Sequence, residues 1–228
     1  MSRTISVVIP TLNEAAELPA TVRRARVIPE VTQIVVADGG SDDATRSLAA
    51  QLGCSVVTSA RGRGTQMRLG AQQATGDIVL LLHADTWVQP DAGRAITGCF
   101  APAGVVGGGC SKVFREPSWL MRGSRFKCAI RFHLFHRFMG DQAMFARREV
   151  LEEIGGIPDV PLMEEFELCR LLRRRGRLAL APTVVSTSSR RFKEHGVLRT
   201  YARMWRVMVQ YYCGTNANEL KRIYEKQR

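Results

Sequence analysis

The first half of the chain alternates short apolar runs with amphipathic segments, which is the pattern of a βαβ architecture. The apolar runs predict four strands, over residues 5–10, 33–37, 54–58 and 78–82. The amphipathic segments predict three helices, over residues 13–27, 42–52 and 63–75. Because successive strand-helix-strand units have right-handed crossovers and parallel strands, we expect ligands at the carboxyl ends of the strands.

The second half of the chain is less regular but contains the same two kinds of element. Two strands are predicted over residues 104–113 and 178–185, and three helices over residues 147–154, 164–175 and 197–212. A chain of 228 residues fits one large domain. We therefore predict a single α/β domain with a mostly parallel central sheet, helices on its flanks and a helical C-terminal extension.

The net charge of the chain is +12, with 33 lysines and arginines against 21 aspartates and glutamates. A surface this basic attracts nucleic acid, anionic lipid or phosphorylated ligands, and the charge alone does not choose among them. Half of the excess lies between residues 112 and 137, where seven basic residues accompany one glutamate. That clustering indicates that the positive charge serves a function of this segment.

Aromatic residues interleave with these basic residues at Trp119, Phe126, Phe132, Phe135 and Phe138. Three interpretations are open for the segment. It forms an amphipathic helix that packs its aromatic side chains inward, or a surface for anionic lipid or a phosphorylated ligand, or a nucleic-acid site. The helix over residues 197–212 has the same mixture, and for it a dimer contact is a further alternative.

The six cysteines, at positions 54, 99, 110, 128, 169 and 213, show no C-x-x-C spacing. Neither a zinc site nor a disulfide framework is indicated, and we expect buried, reduced thiols. No apolar run is long enough to span a bilayer, and residues 1–4 lack the apolar segment of a signal peptide. We expect a cytoplasmic location, with at most a peripheral contact at the inner membrane.

Four carboxylates stand where a predicted strand ends or a predicted helix begins: Asp38, Asp85, Glu164 and Glu165. Two glycines follow Asp38 and allow close approach of a ligand to the backbone, although the same sequence also makes a good turn and helix cap. Asp85 follows shortly after the end of the most apolar strand. At that position a lone buried charge is costly unless a cation lies nearby. We therefore expect a divalent metal at Asp85, with a turn-opening aspartate as the alternative.

Three segments, over residues 7–14, 36–45 and 82–86, resemble the successive nucleotide-sugar motifs of glycosyltransferase family 2, which has the GT-A fold. Their order and intervals match as well. Residues 62–67 (Gly-Arg-Gly-Thr-Gln-Met) are similar to the Gly-Arg-x-x-Gln-Met element of small bacterial members. The resemblance implies a Rossmann-like, metal-dependent, inverting glycosyltransferase. It divides the single domain into a nucleotide-binding half, an acceptor and catalytic half, and a C-terminal helical segment, over residues 1–100, 101–190 and 191–228.

The resemblance also implies a pocket for a nucleotide-diphosphate sugar, with a UDP-sugar favoured and a GDP-sugar as the alternative. The residues expected at the nucleoside are Pro10, Thr11, Asn13 and Glu14, with Asp38 at the base or ribose. The residues expected to cover the nucleotide near its phosphates are Arg61, Gly62, Arg63 and Gln66. Arg190 and Arg191 are expected to close over the diphosphate, because guanidinium groups suit phosphate oxygens.

The metal site that the resemblance implies is centred on Asp85. This residue matches the last acidic residue of the family's D-x-D element, which binds Mg²⁺ or Mn²⁺. The first acidic position of that element is His83 here, so metal binding is expected to be weaker or to rest on Asp85 with water and phosphate oxygens. His83 itself is either a residue that supports the metal ligand or a satisfied core histidine, and we favour the core histidine. His195 lies where some relatives supply a further metal ligand.

The catalytic residues are implied in the same way. Glu164 and Glu165 resemble the acidic pair of the family, whose second member is the general base on the acceptor hydroxyl; Glu165 is longer than the usual aspartate. In the segment before that pair, Asp141 is favoured over Gln142 as the contact to the acceptor or donor sugar. A carboxylate that takes the acceptor proton, while the metal and basic groups stabilise the leaving diphosphate, predicts an in-line displacement with inversion.

Other interpretations stay open. A degenerate protein would bind sugar nucleotides without transferring the sugar, since positions 83 and 165 depart from the family pattern. A nucleotidyltransferase would need a phosphate loop rich in glycine and lysine, and residues 10–17 contain neither. A nucleic-acid-binding module would not explain acidic residues at the ends of three elements, so no nucleic acid is expected. The expected partners are the sugar nucleotide and a hydroxyl acceptor, with a homodimer left open.

Overall fold

The computed structural model describes residues 3–225, and its strands form one eight-stranded sheet. The strands are β1 (Ile5–Thr11), β2 (Val31–Asp38), β3 (Ser55–Thr58), β4 (Ile78–Leu81), β5 (Thr86–Trp87), β6 (Val105–Phe114), β7 (Met144–Arg147) and β8 (Arg177–Thr187). Their order across the sheet is β3-β2-β1-β4-β7-β6-β8-β5. β1 to β4 pair in parallel, as do β6 and β8, whereas β7 is antiparallel to both of its neighbours and β5 to β8.

β1 lies in the middle of the parallel part of the sheet. Val7 and Ile9 belong to the hydrophobic cluster on one face, and Val8 to the cluster on the other. Successive side chains of a strand point to opposite faces, so a strand covered on both faces is apolar throughout. The register pairs Thr11 with Asp38 and brings the carboxyl ends of β1 and β2 together.

The helices cover both faces of the sheet. They are α1 (Leu18–Arg26), α2 (Thr45–Gln51), α3 (Arg63–Gln72), α4 (Ala92–Gly98), α5 (Ser124–Phe135), α6 (Arg148–Glu153), α7 (Glu164–Arg173), α8 (Arg190–His195), α9 (Val197–Tyr212) and α10 (Ala217–Glu225). Side chains of α1, α2 and α4 pack in one hydrophobic cluster, and those of α3, α5, α6 and α7 in the other. The predicted fold class, a mostly parallel sheet flanked by helices, is confirmed, and residues 197–212 form a helix as predicted.

The first two helices start later than the sequence predicts. The predicted start at Asn13 is wrong, because Asn13 has a left-handed φ of 57° and its backbone N–H donates to the Ser41 hydroxyl (2.9 Å). The second helix starts at Thr45, since the Asp43 carboxylate accepts hydrogen bonds from the backbone N–H groups of Thr45 (2.9 Å) and Ala15 (3.1 Å). The segments that precede α1 and α2 are therefore loops, and hydrogen bonds join one loop to the other.

Several short elements were not predicted. β7 is the main case: residue 147, where a helix was expected, ends a four-residue strand that joins β4 to β6. A run of four residues is too short for periodicity to identify it. The elements β5, α4, α8 and α10 were missed as well.

The basic and aromatic segment packs only part of its aromatic side chains inward. Phe132 and Phe138 are buried, whereas Trp119, Phe126 and Phe135 are exposed. The interpretation as an amphipathic helix that packs its aromatic side chains inward is therefore wrong for three of these five residues.

The six cysteines are all free thiols, as predicted. The predicted burial is right for Cys110, Cys128 and Cys169, whereas Cys54 and Cys99 are half-buried and Cys213 is exposed. Within residues 3–225, no helix combines the length and the apolar character needed to cross a bilayer.

Candidate active site

Asp38 ends β2 and organises the loop that follows. Its carboxylate accepts hydrogen bonds from the backbone N–H groups of Gly40 (3.1 Å) and Ser41 (2.9 Å) and from the hydroxyls of Thr11 (3.1 Å) and Ser41. Burial would raise the pKa of Asp38, but these hydrogen bonds hold it below its usual value. The structure therefore shows Asp38 as a turn-forming residue, and its contact with a base or ribose stays a prediction.

The other residues expected at the nucleoside lie beside this loop. The Asn13 side-chain oxygen accepts a hydrogen bond from the backbone N–H of Asp42 (2.9 Å), and the backbone N–H of Glu14 donates to the Thr45 hydroxyl (2.9 Å). Pro10 stands one residue earlier than Thr11 in β1. The predicted nucleoside residues are thus brought together at the carboxyl ends of β1 and β2.

Gln66, in the first turns of α3, joins the two strands below this loop. Its Nε2 donates to the carbonyl oxygens of Thr11 (2.6 Å) and Ala37 (3.0 Å). A Cβ added at Gly39 would lie 3.0 Å from the amide carbon of Gln66, so the glycine permits this close approach. Gln66 is buried and engaged in holding strand ends, and a direct contact of its side chain with the nucleotide stays a prediction.

The same turn of α3 contacts the loop that precedes α7. A Cβ at Gly64 would lie 2.9 Å from the carbonyl oxygen of Pro158, and the Thr65 hydroxyl donates to Asp159 Oδ1 (2.7 Å). The segment 62–67 therefore joins the two halves of the candidate site.

Arg63, the first residue of α3, pairs with both glutamates of the acidic pair. Its Nε bonds Glu164 Oε1, and its Nη2 lies 2.6 Å from Glu165 Oε1. Glu164 and Glu165 open α7, as predicted, and both are buried. Arg63 thus forms ion pairs with both glutamates. The contact of Arg63 with nucleotide phosphates stays a prediction.

Glu165 differs from Glu164 in the hydrogen bonds that its carboxylate oxygens accept. The ion pair of Glu165 with Arg63 is close in distance but lacks the alignment of a hydrogen bond, so Glu165 Oε1 has no hydrogen-bond partner among residues 3–225. Burial raises the pKa of Glu165 to about 7; Arg63 opposes this shift and Glu164 adds to it. A carboxylate with this pKa and an unsatisfied oxygen is suited to accept a proton near neutral pH.

His83 points toward the same space. Its Nε2 is buried and has no hydrogen-bond partner in the described part of the chain, so the predicted satisfied core histidine is wrong. A Cβ at Gly140 would clash with Glu165 Oε1 and lie 2.7 Å from His83 Nε2, which places both atoms next to Gly140. Burial, and then the charge of Arg63, lowers the pKa of His83, so its imidazole is neutral at physiological pH.

Asp141 follows Gly140 and pairs with Lys112 of β6. Burial would raise the pKa of Asp141, but its ion pair with Lys112 holds it below its usual value, and the charge of Arg131 adds to this more weakly. Its second oxygen, Oδ1, is buried with no hydrogen-bond partner within residues 3–225. Asp141 therefore presents an ionised carboxylate with one unsatisfied oxygen.

Asp85 lies at a second group of charged residues. Arg115 donates to the Asp85 carbonyl oxygen (2.9 Å) and to Glu17 (2.7 Å). Glu14 pairs with Arg190 of α8 (3.3 Å). Burial raises the pKa of Glu14, Arg190 opposes this, and Asp85 adds to it, so the carboxylates of Glu14 and Asp85 are close enough to repel each other.

The residues at this group fit a divalent cation held by one protein carboxylate. Asp85 receives a single long side-chain hydrogen bond, from the Thr86 hydroxyl (3.5 Å), and Glu14 Oε2 is buried with no hydrogen-bond partner in the described chain. Mg²⁺ is commonly bound by one or two carboxylates together with phosphate oxygens of a substrate. Within residues 3–225 there is no cluster of three or more His, Cys, Asp or Glu side chains that would form a complete protein site.

The remaining predicted site residues are more scattered. Arg61 is exposed, and Gly62 precedes α3. The Arg191 guanidinium lies 4.8 Å from the ring centroid of Tyr224 in α10. His195 is the last residue of α8, and its role as a metal ligand stays a prediction.

Three residues of the site were not predicted from the sequence. Lys112 stands in the otherwise apolar strand β6, and a lysine in such a run is a signal that a buried carboxylate lies opposite. Arg115 was counted only as part of the basic segment, although its guanidinium stacks on the Trp87 ring at 3.8 Å. Gly140 gave no signal beyond its position before Asp141.

A mostly parallel sheet with acidic side chains at its carboxyl edge, in this strand order, is the GT-A fold. The chain belongs to the glycosyl transferase family 2, whose family model matches residues 6–155. The predicted family is confirmed, and with it the predicted enzyme class.

Two relatives illustrate how far the sequence similarity extends. An undecaprenyl-phosphate 4-deoxy-4-formamido-L-arabinose transferase of Pseudomonas paraeruginosa is 35% identical over 99 residues, which cover 38% of this chain and 29% of that protein. An uncharacterised glycosyltransferase of Mycobacterium bovis is 38% identical over 82 residues, which cover 36% of each protein. The chain thus matches about a third of the length of these relatives.

Solved structures resemble the whole fold. The mannosyltransferase PcManGT of Pyrobaculum calidifontis, in complex with GDP-Man and Mn²⁺, superposes with a TM-score of 0.70 at 20% identity, covering 99% of this chain and 69% of that one. Glucosyl-3-phosphoglycerate synthase of Mycobacterium tuberculosis, in complex with Mn²⁺, UDP and glucosyl-3-phosphoglycerate, has a TM-score of 0.59 at 23% identity, covering 82% and 70%. At these identities the likeness establishes the GT-A fold.

Proposed function

We propose that the protein transfers a sugar from a nucleotide-diphosphate sugar to a hydroxyl acceptor with inversion at the anomeric carbon. A UDP-sugar is the favoured donor and a GDP-sugar the alternative. Membership of family 2 supports the reaction class, and the structural neighbours in complex with GDP-Man or UDP support both kinds of donor.

Three buried polar atoms without hydrogen-bond partners among the described residues carry the proposal: Glu165 Oε1, His83 Nε2 and Asp141 Oδ1. The first two lie next to Gly140, and the charge of Asp141 acts on both side chains. Buried polar atoms are normally satisfied, so such a group indicates space for the polar atoms of a ligand.

In the proposed reaction Glu165 accepts the proton of the acceptor hydroxyl as the oxygen attacks the anomeric carbon. The bond from that carbon to the diphosphate oxygen breaks on the opposite face, which inverts the configuration. Arg63 keeps Glu165 partly ionised at neutral pH, and Glu164 holds the Arg63 guanidinium in place. Asp141, held by Lys112, is positioned to accept a hydrogen bond from the acceptor or the donor sugar.

The leaving diphosphate is expected beside Asp85. A divalent ion, Mg²⁺ or Mn²⁺, would be held there by Asp85 and would neutralise negative charge on the diphosphate when bound. Two protein cations lie at this position: Arg115, which donates to the Asp85 carbonyl oxygen, and Arg190, which pairs with Glu14. The complexes of the structural neighbours with Mn²⁺ support a divalent ion. We also propose that His195 is a further ligand of this ion.

We also propose a cytoplasmic location with a peripheral contact at the inner membrane. The relative from Pseudomonas paraeruginosa is named for an undecaprenyl-phosphate substrate, which supports an acceptor presented at a membrane. A homodimer is retained as an alternative for the exposed helix α9.

The test of the proposed reaction is release of nucleoside diphosphate from sugar nucleotides, with water or a panel of hydroxyl compounds as acceptor. Glu165→Gln is expected to lower the rate by about 100-fold or more while donor binding is kept, because general bases contribute roughly 10²–10⁴-fold. Unchanged release in Glu165→Gln contradicts the base. A native protein that binds the donor and releases nothing with every acceptor is the degenerate alternative.

A further inference from the structure

Nine of the twelve exposed large hydrophobic side chains among residues 3–225 lie in two neighbouring places, on α5 with the turn before it and on α9. We call them together the α5–α9 surface. Its members are Trp119, Phe126, Ile130, Leu134, Phe135, Leu198, Trp205, Val209 and Tyr212. Because exposed apolar residues are usually scattered singly, this concentration marks an interaction surface.

The helix α5 has two apolar stripes rather than one. Cys128 and Phe132 are buried against the sheet. Phe126, Ile130 and Leu134, spaced by four residues, are exposed, and Phe126 and Leu134 are 69% and 67% exposed. Residues two positions apart on a helix point to nearly opposite sides, so the second stripe faces away from the core. None of its three residues belongs to a hydrophobic cluster of the described chain.

The helix α9 repeats this arrangement. Thr200 and Val207 are buried. Leu198, Trp205 and Tyr212, at seven-residue spacing, form an outer stripe, and Trp205 is 65% exposed. Both helices therefore present an apolar outer face.

The charged residues within these two segments are all basic. No aspartate or glutamate occurs in residues 117–140 or in residues 196–218. Arg122, Arg125 and Lys127 are exposed around α5, and Arg199 and Arg206 along α9. The surface therefore combines aromatic and aliphatic side chains with uncompensated positive charge.

The two helices adjoin each other and the candidate active site. Lys127 Nζ lies 4.9 Å from the ring centroid of Tyr201 in α9. Ser124, the first residue of α5, donates to the carbonyl oxygen of Lys112 (3.0 Å), and Lys112 pairs with Asp141. The surface thus borders the side of the site where the acceptor is expected.

We propose that the α5–α9 surface docks on an anionic lipid bilayer and holds the acceptor side of the site against it. Helices that lie in a membrane interface bury tryptophan, phenylalanine and leucine and place arginine and lysine at the headgroups, which is the composition found here. This inference rests on the proposed peripheral location and identifies the surface responsible.

Two other occupants fit the observations less well. A second copy of the chain, joined face to face, would place arginines against arginines with no acidic residue in either helix. A nucleic acid would satisfy the arginines, but the aliphatic side chains of Ile130, Leu134, Leu198 and Val209 neither stack on bases as aromatic rings do nor form hydrogen bonds. A bilayer accepts both kinds of side chain.

The test is co-sedimentation of the full chain with vesicles of phosphatidylcholine alone and of phosphatidylcholine with phosphatidylglycerol, without donor. Binding to the anionic vesicles is expected, with weakening by salt. The variant Arg122→Gln/Arg125→Gln/Arg206→Gln is expected to lower the partition coefficient by about 100-fold, since each basic residue near such a surface contributes about fivefold. The apolar variant Trp119→Ser/Phe126→Ser/Leu134→Ser is expected to lose binding at every salt concentration.

The matched control is Arg173→Gln/Arg174→Gln/Arg175→Gln, which removes the same charge from exposed positions at the end of α7. It is expected to keep most of the vesicle binding. Equal loss in this control, or no binding of the folded native protein to anionic vesicles, overturns the proposal. A dimer in sedimentation equilibrium that the apolar variant dissociates, without vesicle binding, also overturns it in favour of a second copy.

Donor binding is measured separately, by calorimetry, in the same set of proteins. All variants are expected to bind the donor as the native protein does, because the substituted residues lie outside the candidate donor site. A protein that binds anionic vesicles but no sugar nucleotide would leave the docking surface standing and contradict only the proposed reaction.

Discussion

Nη2 of Arg63 lies 2.6 Å from Oε1 of Glu165, so a residue of the first hundred acts directly on the charge of the proposed general base. Arg63 begins α3 and Glu165 belongs to the first turn of α7. The contact couples α3 to α7, because any ligand that moves the Arg63 side chain changes the pKa of the Glu165 carboxyl group.

The pH dependence of the reaction follows from Glu165. A base must be ionised, and burial raises the pKa of Glu165 to about 7. We therefore expect kcat/KM for nucleoside diphosphate release to rise with pH, with an apparent pKa of about 7 in the free enzyme. The residual rate of Glu165→Gln should lack this acid limb. A native profile that is flat between about pH 5 and 8 contradicts the assignment.

Removal of the arginine should move that profile. Arg63→Met removes the cation that opposes the effect of burial, so the acid limb of kcat/KM should shift upward by about 1 pH unit or more. The control is Arg61→Met, at an exposed neighbouring arginine that makes no ion pair with the described residues. It is expected to leave the position of the limb unchanged. A downward shift in Arg63→Met would contradict the ion pair.

The stability of the fold should depend on the same carboxyl group. Its pKa in the folded protein, about 7, exceeds the ordinary value of 4.5, so folding favours the protonated form. The stability contributed by this group is fully present below pH 4.5 and is lost as the pH rises through about 7. Glu165→Gln is neutral throughout and should exceed the native protein in stability at alkaline pH by up to about 3 kcal/mol. Urea unfolding of both proteins at acid and alkaline pH checks this prediction. It is contradicted if the difference in free energy of unfolding between Glu165→Gln and the native protein does not grow as the pH rises.

Gly140 should tolerate no side chain. A Cβ there would clash with Glu165 Oε1 and lie 2.7 Å from His83 Nε2, so Gly140→Ala is expected to lower the free energy of unfolding by about 1–3 kcal/mol and to reduce nucleoside diphosphate release. Gly98→Ala, in α4, is the control, because a Cβ at Gly98 has no atom within 4 Å. It should be neutral or slightly stabilising. Equal behaviour of the two variants would show that the space beside Gly140 is not constrained.

Much of the fold could be predicted because long elements have a strong pattern. The strands around β1 are apolar on both faces, and α9 places its apolar residues at helical spacing, so both were predicted. The short strand β7 could not be, since four residues carry too little periodicity. The late start of α1 could not be either, because it depends on the contact of Asn13 with Ser41, which lies in another loop.

The candidate site was predictable where residues follow a motif and not where they depend on tertiary contact. The motifs predicted roles for Glu165 and Asp85, which stay proposals, but gave no role to Lys112, whose partner Asp141 is distant in the sequence. They also placed Arg63 on the phosphates, whereas the structure pairs it with the glutamates. His83 departs from the family pattern, and only the structure shows that its Nε2, beside Glu165, finds no hydrogen-bond partner among residues 3–225.

The most direct test of the central claim is calorimetric titration of UDP-sugars and GDP-sugars into the native protein and into Asp85→Ala, with Mn²⁺ and then with a chelator. We predict that one class of sugar nucleotide binds the native protein and that the chelator weakens this binding. Asp85→Ala should lose the metal-dependent part, by more than the roughly 10–100-fold that loss of an outer-shell metal contact costs. A folded native protein that binds neither class, with or without Mn²⁺, would contradict the proposed function.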